Sequence, residues 1–150
     1  MKYFYPEDYG ALADGKTNDV KAIQSAIDKA EENGGGTVVL TSGKTYYSDS
    51  IRMKKNVELH LQKGSRLKAT DNIDGYIRPC NMINDPKTAL IGNPVTGKPS
   101  FVFIYGYEAD GCSITGEGTI DANGHSFVER KDKYYVTGNF SKYIPFEAER

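Results

Sequence analysis

One helix followed only by short strands is the feature that most limits what this chain can become. Residues 17–33 read Thr-Asn-Asp-Val-Lys-Ala-Ile-Gln-Ser-Ala-Ile-Asp-Lys-Ala-Glu-Glu-Asn. Val20, Ile23, Ile27 and Ala30 fall three or four residues apart, so they share one stripe of a helix. Thr17 or Asn18 can accept a hydrogen bond from an orphan N–H of its first turn, and Asp19 complements the positive end of the dipole. Gly34, Gly35 and Gly36 end it, because glycine enters the left-handed conformation of a helix exit without a Cβ penalty. After them the apolar period changes to short β-branched and aromatic runs at Thr37–Thr41, Thr45–Ser48, Val57–Leu61, Arg66–Ala69, Phe101–Tyr105 and Cys112–Ile120.

Runs this short, joined by turns as brief as Ser42-Gly43 and Lys63-Gly64, cannot cross the sheets of an ordinary sandwich. They suit the turns of a solenoid in which inward Val, Ile and Leu stack on the same positions of the turn below. The segment Val57-Glu-Leu-His-Leu-Gln-Lys-Gly-Ser-Arg-Leu67 echoes Cys112-Ser-Ile-Thr-Gly-Glu-Gly-Thr-Ile120, each being two strands hinged at glycine. One end of such a stack exposes strand edges and core, and the amphipathic helix before the first strand is placed to cover it. The expected fold is therefore a β-class parallel β-helix with an N-terminal capping helix. Its expected organisation is a single domain: an entry segment and cap helix over 1–36, a first coil region over 37–70, a long loop over 71–100 and a further coil region over 101–150. The loop is rich in Asn, Asp, Gly and Pro, and it either borders a ligand groove or forms a covering flap.

Composition narrows the partners. Nineteen basic and twenty acidic residues give a net charge of -1, without the basic excess that a nucleic-acid partner requires. No apolar run is long enough to span a bilayer, so no membrane partner is expected. The opening Met-Lys-Tyr-Phe-Tyr-Pro-Glu-Asp offers no apolar stretch for a signal peptidase. The expected location is cytoplasmic for the sequence as written, or secreted if a leader has been removed. Cys80 and Cys112 read as two reduced buried thiols, and with His60 and His125 they lack the spacing of a structural zinc site. No calcium-type cluster of carboxylates falls on one strand, and no cofactor is expected.

Two separated blocks carry a family resemblance. Asp8-Tyr9-Gly10-Ala11, Asp14-Gly15, Thr17-Asn18-Asp19, Ala22-Ile23-Gln24, Ala26-Ile27 and Gly34-Gly35-Gly36-Thr37-Val38-Val39 resemble the N-terminal signature of the pectin-degrading β-helix enzymes. Phe103-Ile104-Tyr105 followed by Ile114-Thr115-Gly116-Glu117-Gly118-Thr119-Ile120-Asp121 resembles the second coil of family 28 of the glycoside hydrolases, the polygalacturonase family. The resemblance covers roughly residues 8–127 and implies a right-handed parallel β-helix, a uronate-rich polysaccharide substrate and inverting acid/base hydrolysis. In that chemistry one carboxyl protonates the leaving oxygen while another activates water. The family's catalytic signatures, Asn-Thr-Asp, Asp-Asp, Gly-His-Gly and Arg-Ile-Lys, follow the matched segment, and none stands at an equivalent place here. No catalytic residue is carried over.

The substrate-binding candidates are Arg78, Tyr105, Asp121 and His125. Arg78, Lys87, Lys98, Arg130 and Lys131 can pair with uronate carboxylates, the arginines bidentately; solvation is the plainer role of such scattered charge. Tyrosine offers a flat face for sugar stacking, with Tyr107, Tyr134 and Tyr135 as further candidates. Asp121 follows a strand of the matched block and reads either as a groove carboxylate or as a turn stabiliser, and His125 lies in a turn that can line a groove. His60, between Leu59 and Leu61, points outward. Removing the cap region and the loop leaves about four turns at the roughly 20–29 residues of short-repeat solenoids. The residues up to Arg150 show no convincing cap, so the coil is expected to be incomplete there and open to an oligomeric partner. Two functions follow: the N-terminal portion of a polygalacturonase-like hydrolase, or a noncatalytic β-helix module for carbohydrate binding or structure.

Overall fold

The computed structural model describes residues 2–77, 102–131 and 134–137. It divides into two bodies, one of Met1–Ile77 with Val102–Asp121 and one of Arg78–Phe101 with Ala122–Arg150.

The first body is a stack of parallel strands. Tyr3–Phe4 (β1) and Asp14–Asn18 (β2) precede the helix Val20–Glu32 (α1). Gly36–Leu40 (β3), Thr45–Ser48 (β4), Ile51–Met53 (β5), Val57–Leu61 (β6), Arg66–Ala69 (β7), Ile104–Gly106 (β8), Ser113–Gly116 (β9) and Thr119–Asp121 (β10) follow. They pair in three ladders: β1-β3-β6-β9, β2-β4-β7-β10 and β5-β8. Every pairing among these ten strands is parallel.

Register fixes the repeat. Thr37 lies beside Glu58, 21 residues on, and Ser42 bonds Lys63 at the same interval. The next turn takes 55 residues, from His60 to Thr115, because a longer stretch of sequence separates β7 from β8. Glu58 pairs with Ser113 and Leu67 with Ile120, so the sequence echo between 57–67 and 112–120 is a true superposition of rungs. Four strands match the sequence expectation closely. The short strands β1, β2 and β5 escape it, since two to five residues with little apolar alternation carry no periodic signal.

The core follows from alternation within the ladders. Val57, Leu59 and Leu61 point inward on β6 with Val38 and Leu40 of β3, and Tyr46, Leu67, Ile51 and Met53 complete the buried cluster. Among the described residues Tyr46 is the largest fully buried side chain. Its hydroxyl accepts from the Thr41 N–H at 2.9 Å and donates to Glu7 at 2.8 Å, while burial pushes its ionisation up to about 12. Lys44 reaches the same Glu7 oxygen at 2.8 Å, so one carboxylate ties the entry segment to the corner between β3 and β4.

Helix α1 closes the first rung as the sequence implies. Ala22, Ile23, Ala26, Ile27 and Ala30 are buried against the core. Gln24 extends the seal to the backbone: its amide accepts from the Arg52 N–H at 3.0 Å and donates to the Arg52 carbonyl at 3.1 Å. A side-chain amide thus replaces the strand neighbour that the edge of β5 lacks. The helix start carries one pair of bonds beyond the sequence reading. Asn18 accepts from the Val20 N–H, and the N-cap residue Asp19 makes no side-chain bond to the helix but receives the N–H groups of Leu12 and Ala13 at 2.8 and 3.0 Å. Burial outweighs those bonds and raises its pKa above the ordinary 3.8. Asp14 accepts from the N–H groups of Lys16 and Thr17, the turn-stabilising role its position suggests.

Corners depend on close backbone approach. Gly35, Asn56 and Gly111 stack at the start of the first ladder with φ of 131°, 57° and 72°. A Cβ on Gly35 would lie 2.8 Å from the Asn56 carbonyl oxygen, and one on Gly111 would lie 2.6 Å from the Asn56 side-chain oxygen. At the far end of that ladder Gly116, at φ 100°, has the Leu61 carbonyl oxygen 2.0 Å from where its Cβ would be. Only glycine fits there.

In the second body the described residues form a 3-10 turn at Gly124–Phe127 and an antiparallel pair, Val128–Lys131 (β11) with Tyr134–Thr137 (β12). Cys112, in the first body, is a free, half-buried thiol packed at the margin of the core. Cys80 lies outside the described residues.

Candidate functional site on the outer face of the first ladder

The side chains that alternate with Leu59 must face outward, and on the first ladder they converge. Thr37, Glu58 and Ser113 stand in one column across β3, β6 and β9, while His60 stands beside Thr115 in the next. Thr37 donates its hydroxyl to Glu58 Oε2 at 2.8 Å, and Thr115 donates to Glu58 Oε1 at 2.5 Å. His60 Nδ1 lies 2.7 Å from the Thr115 hydroxyl oxygen and 3.8 Å from Glu58 Oε1.

The hydrogen bonds from Thr115 and then Thr37 hold the Glu58 carboxyl below its ordinary 4.5, against the opposing effect of burial and with a smaller contribution from His60. A carboxylate stabilised on both oxygens stays ionised and is unsuited to donating a proton to a leaving group. Its chemistry is to anchor and orient. Beside it runs an open groove of about 810 Å³, lined by the Glu58 column, Lys2, Asn33, Asn56 and the glycine corner at 34–36 and 111. Asn33 is held there by its own bond to the Gly35 carbonyl at 3.0 Å.

The residues singled out from the sequence lie elsewhere. Tyr105 sits on β8 opposite Arg52, whose guanidinium carbon is 5.9 Å from the ring centre, so it borders the third ladder. Asp121 ends β10 on the second ladder, 4.0 Å from Arg66. His125 is exposed in the 3-10 turn of the second body. Arg78, Lys87 and Lys98 lie outside the described residues, whereas Arg130, Lys131, Tyr134 and Tyr135 fall on the hairpin strands. Tyr105 and Asp121 thus occupy different ladders. Alternation correctly turns His60 outward, but its partners Glu58 and Thr115 are not legible without register. The 21-residue repeat would have brought Thr37 to Glu58; the insertion hides Thr115.

Comparisons with known proteins agree with this architecture. The chain is 60% identical over 140 residues to alginate lyase 7 of Azotobacter vinelandii, covering 87% of this chain and 15% of that protein. It is 33% identical over 125 residues to a capsule KN3-specific depolymerase of Klebsiella phage KN3-1, covering 82% of this chain and 16% of the relative. The chain therefore spans about a sixth of the length of these two relatives. Among solved structures, the family 28 exopolygalacturonase of Yersinia enterocolitica superposes with a TM-score of 0.65 at 27% identity, over 88% of this chain and 22% of the enzyme. The stacked parallel ladders, the helix over the first rung and the glycine corners are those of a right-handed parallel β-helix. Residues 7–123 match the family model that describes this architecture, and the chain belongs to the rhamnogalacturonase A/epimerase, pectate lyase-like family.

Proposed function

We propose that this chain is the capped N-terminal part of an enzyme that acts on uronate-rich polysaccharides, with polygalacturonase-like inverting hydrolysis as its chemistry. The open groove beside Glu58 is the observation that carries the reading. It is a surface of amide, hydroxyl and carboxylate groups on a rigid ladder, the inventory that hydrogen-bonds sugars. Relatives named for alginate lysis and capsule depolymerisation, and a structural neighbour named an exopolygalacturonase, support a polysaccharide substrate.

Inverting hydrolysis needs one carboxyl that donates a proton and one that accepts it, about 6.5–9.5 Å apart. Glu58 is locked in the ionised form by its two threonines, so on this reading the donor comes from outside the groove and the face shown here binds and orients. The purified chain should bind polygalacturonate or alginate in equilibrium dialysis and release no reducing ends from either. Release of reducing ends that survives in Glu58→Gln and disappears in Asp121→Asn would overturn the division between binding here and chemistry elsewhere. Failure to retain either polymer would remove the substrate class.

A further inference from the structure

Proton counting along the Glu58 cluster assigns a role that neither the family match nor the relatives supply. An ionised carboxylate only accepts. Thr37 and Thr115 must therefore each donate their single hydroxyl proton to Glu58. Thr115 then has no proton left for the imidazole 2.7 Å away. That contact requires His60 Nδ1 to carry a hydrogen and donate it to the Thr115 oxygen. The tautomer of a neutral histidine is set by the bond its first nitrogen makes, so Nε2 is left as a lone-pair acceptor on the far side of a ring that is 37% exposed. The ring is fixed by a chain across two rungs, His60 to Thr115 to Glu58, with Thr37 of a third rung holding the other oxygen.

We propose that His60 Nε2 is a saccharide-binding atom, accepting a hydroxyl of a uronate oligosaccharide laid along the outer face of β3, β6 and β9. Glu58 and its two threonines have their strongest donors and acceptors engaged with one another, whereas the imidazole nitrogen is directed away from them. A sugar hydroxyl is the matching donor, and Glu58, two residues before His60 on the same strand, lines the open groove that runs toward the glycine corner. Thr115 is a positioning residue here: it touches no sugar, and it sets which nitrogen of His60 is the acceptor. The inference rests on the polysaccharide reading above for its ligand class, but the tautomer can be measured without any ligand.

The test is two-dimensional ¹H–¹⁵N NMR of the His60 ring in the full chain, above the imidazole titration, followed by addition of a galacturonate trimer and, separately, a mannuronate trimer. The expected result is an Nδ1–H tautomer in the free chain and a shift of the Nε2 resonance with one of the trimers. His60→Gln should weaken that trimer's binding about five- to tenfold, as loss of one hydrogen bond implies. Thr115→Val should free the ring to protonate Nε2 and weaken binding to a similar degree with His60 still present, and Thr115→Ser should restore both. An Nε2–H tautomer in the free wild-type chain overturns the proposal. So does a trimer that perturbs other amides while leaving the Nε2 resonance and the affinity of His60→Gln unchanged, an outcome that leaves the polysaccharide reading standing. If neither trimer perturbs any resonance, both readings fall.

Discussion

Leu59 and Ile114 stand opposite one another on β6 and β9, as Leu67 and Ile120 do on β7 and β10. The two leucines are fully buried, whereas the isoleucines are 45% and 43% exposed. Each pair occupies the same inward position, one rung apart. The difference lies in what covers them. Leu59 has β3 on one side and β9 on the other, and beyond β3 the helix contributes Ile23 and Ile27, both fully buried. In a stack each rung is stabilised chiefly by its neighbours, so the strength of this body is concentrated toward the helix and declines toward β9 and β10.

Truncating the two members of one column separates these regions most sharply. Leu59→Ala is expected to cost about 4 kcal/mol, as a fully buried leucine leaving a cavity does. Ile114→Ala is expected to cost no more than about 1 kcal/mol, because much of its surface already meets water. Urea unfolding midpoints of the two variants measure the gap. Equal losses would mean that the last rung is as well covered as the one before it.

The corner at the last rung is not weak in the same way. Gly116→Ala should cost about 3 kcal/mol, since it combines a left-handed backbone with a collision against the Leu61 carbonyl. A midpoint close to wild type would show that β9 moves off β6 at small cost. At the opposite end, Gln24→Ala removes both side-chain partners of the Arg52 backbone and should cost about 2 kcal/mol. Faster amide exchange at Arg52 would localise that loss to the edge of β5.

The sequence made the capped stack readable because its signals are local and repeated. The stripe through Ile23, Ile27 and Ala30 marks the helix, and the alternation in Val57, Leu59 and Leu61 marks a strand with one buried face. The echo between residues 57 and 112 even aligned the rungs correctly. The bonds of Asp19 are not legible locally, because only the fold brings the N–H groups of Leu12 and Ala13 within its reach. The Glu58 cluster stayed hidden for a different reason. Glu58 and Thr115 are 57 residues apart, and the long stretch of sequence between β7 and β8 breaks the periodicity that could have joined them. Residue type marks Tyr105, and local position at a strand end and in a turn marks Asp121 and His125, but neither signal says which ladder or which body a side chain belongs to.

Glu58 gives the finest test of the contrast between the two ends, because its bonds fasten the last rung from outside where the core holds it least. Its folded pKa is lowered, so the stabilisation is fully present above the unfolded value of about 4.5 and is lost as pH falls through the lowered native value. Wild type should therefore lose stability on acidification over that window more than Glu58→Gln does. Near neutral pH the variant itself should differ by less than about 1 kcal/mol, since an amide can still engage both threonines. Urea midpoints at neutral and acidic pH measure the first effect, and amide exchange across Ser113–Gly116 measures the second. If the amides of β9 exchange no faster in Glu58→Gln while those of β3 do, the carboxylate braces the capped end of the ladder instead, and the last rung is held without it.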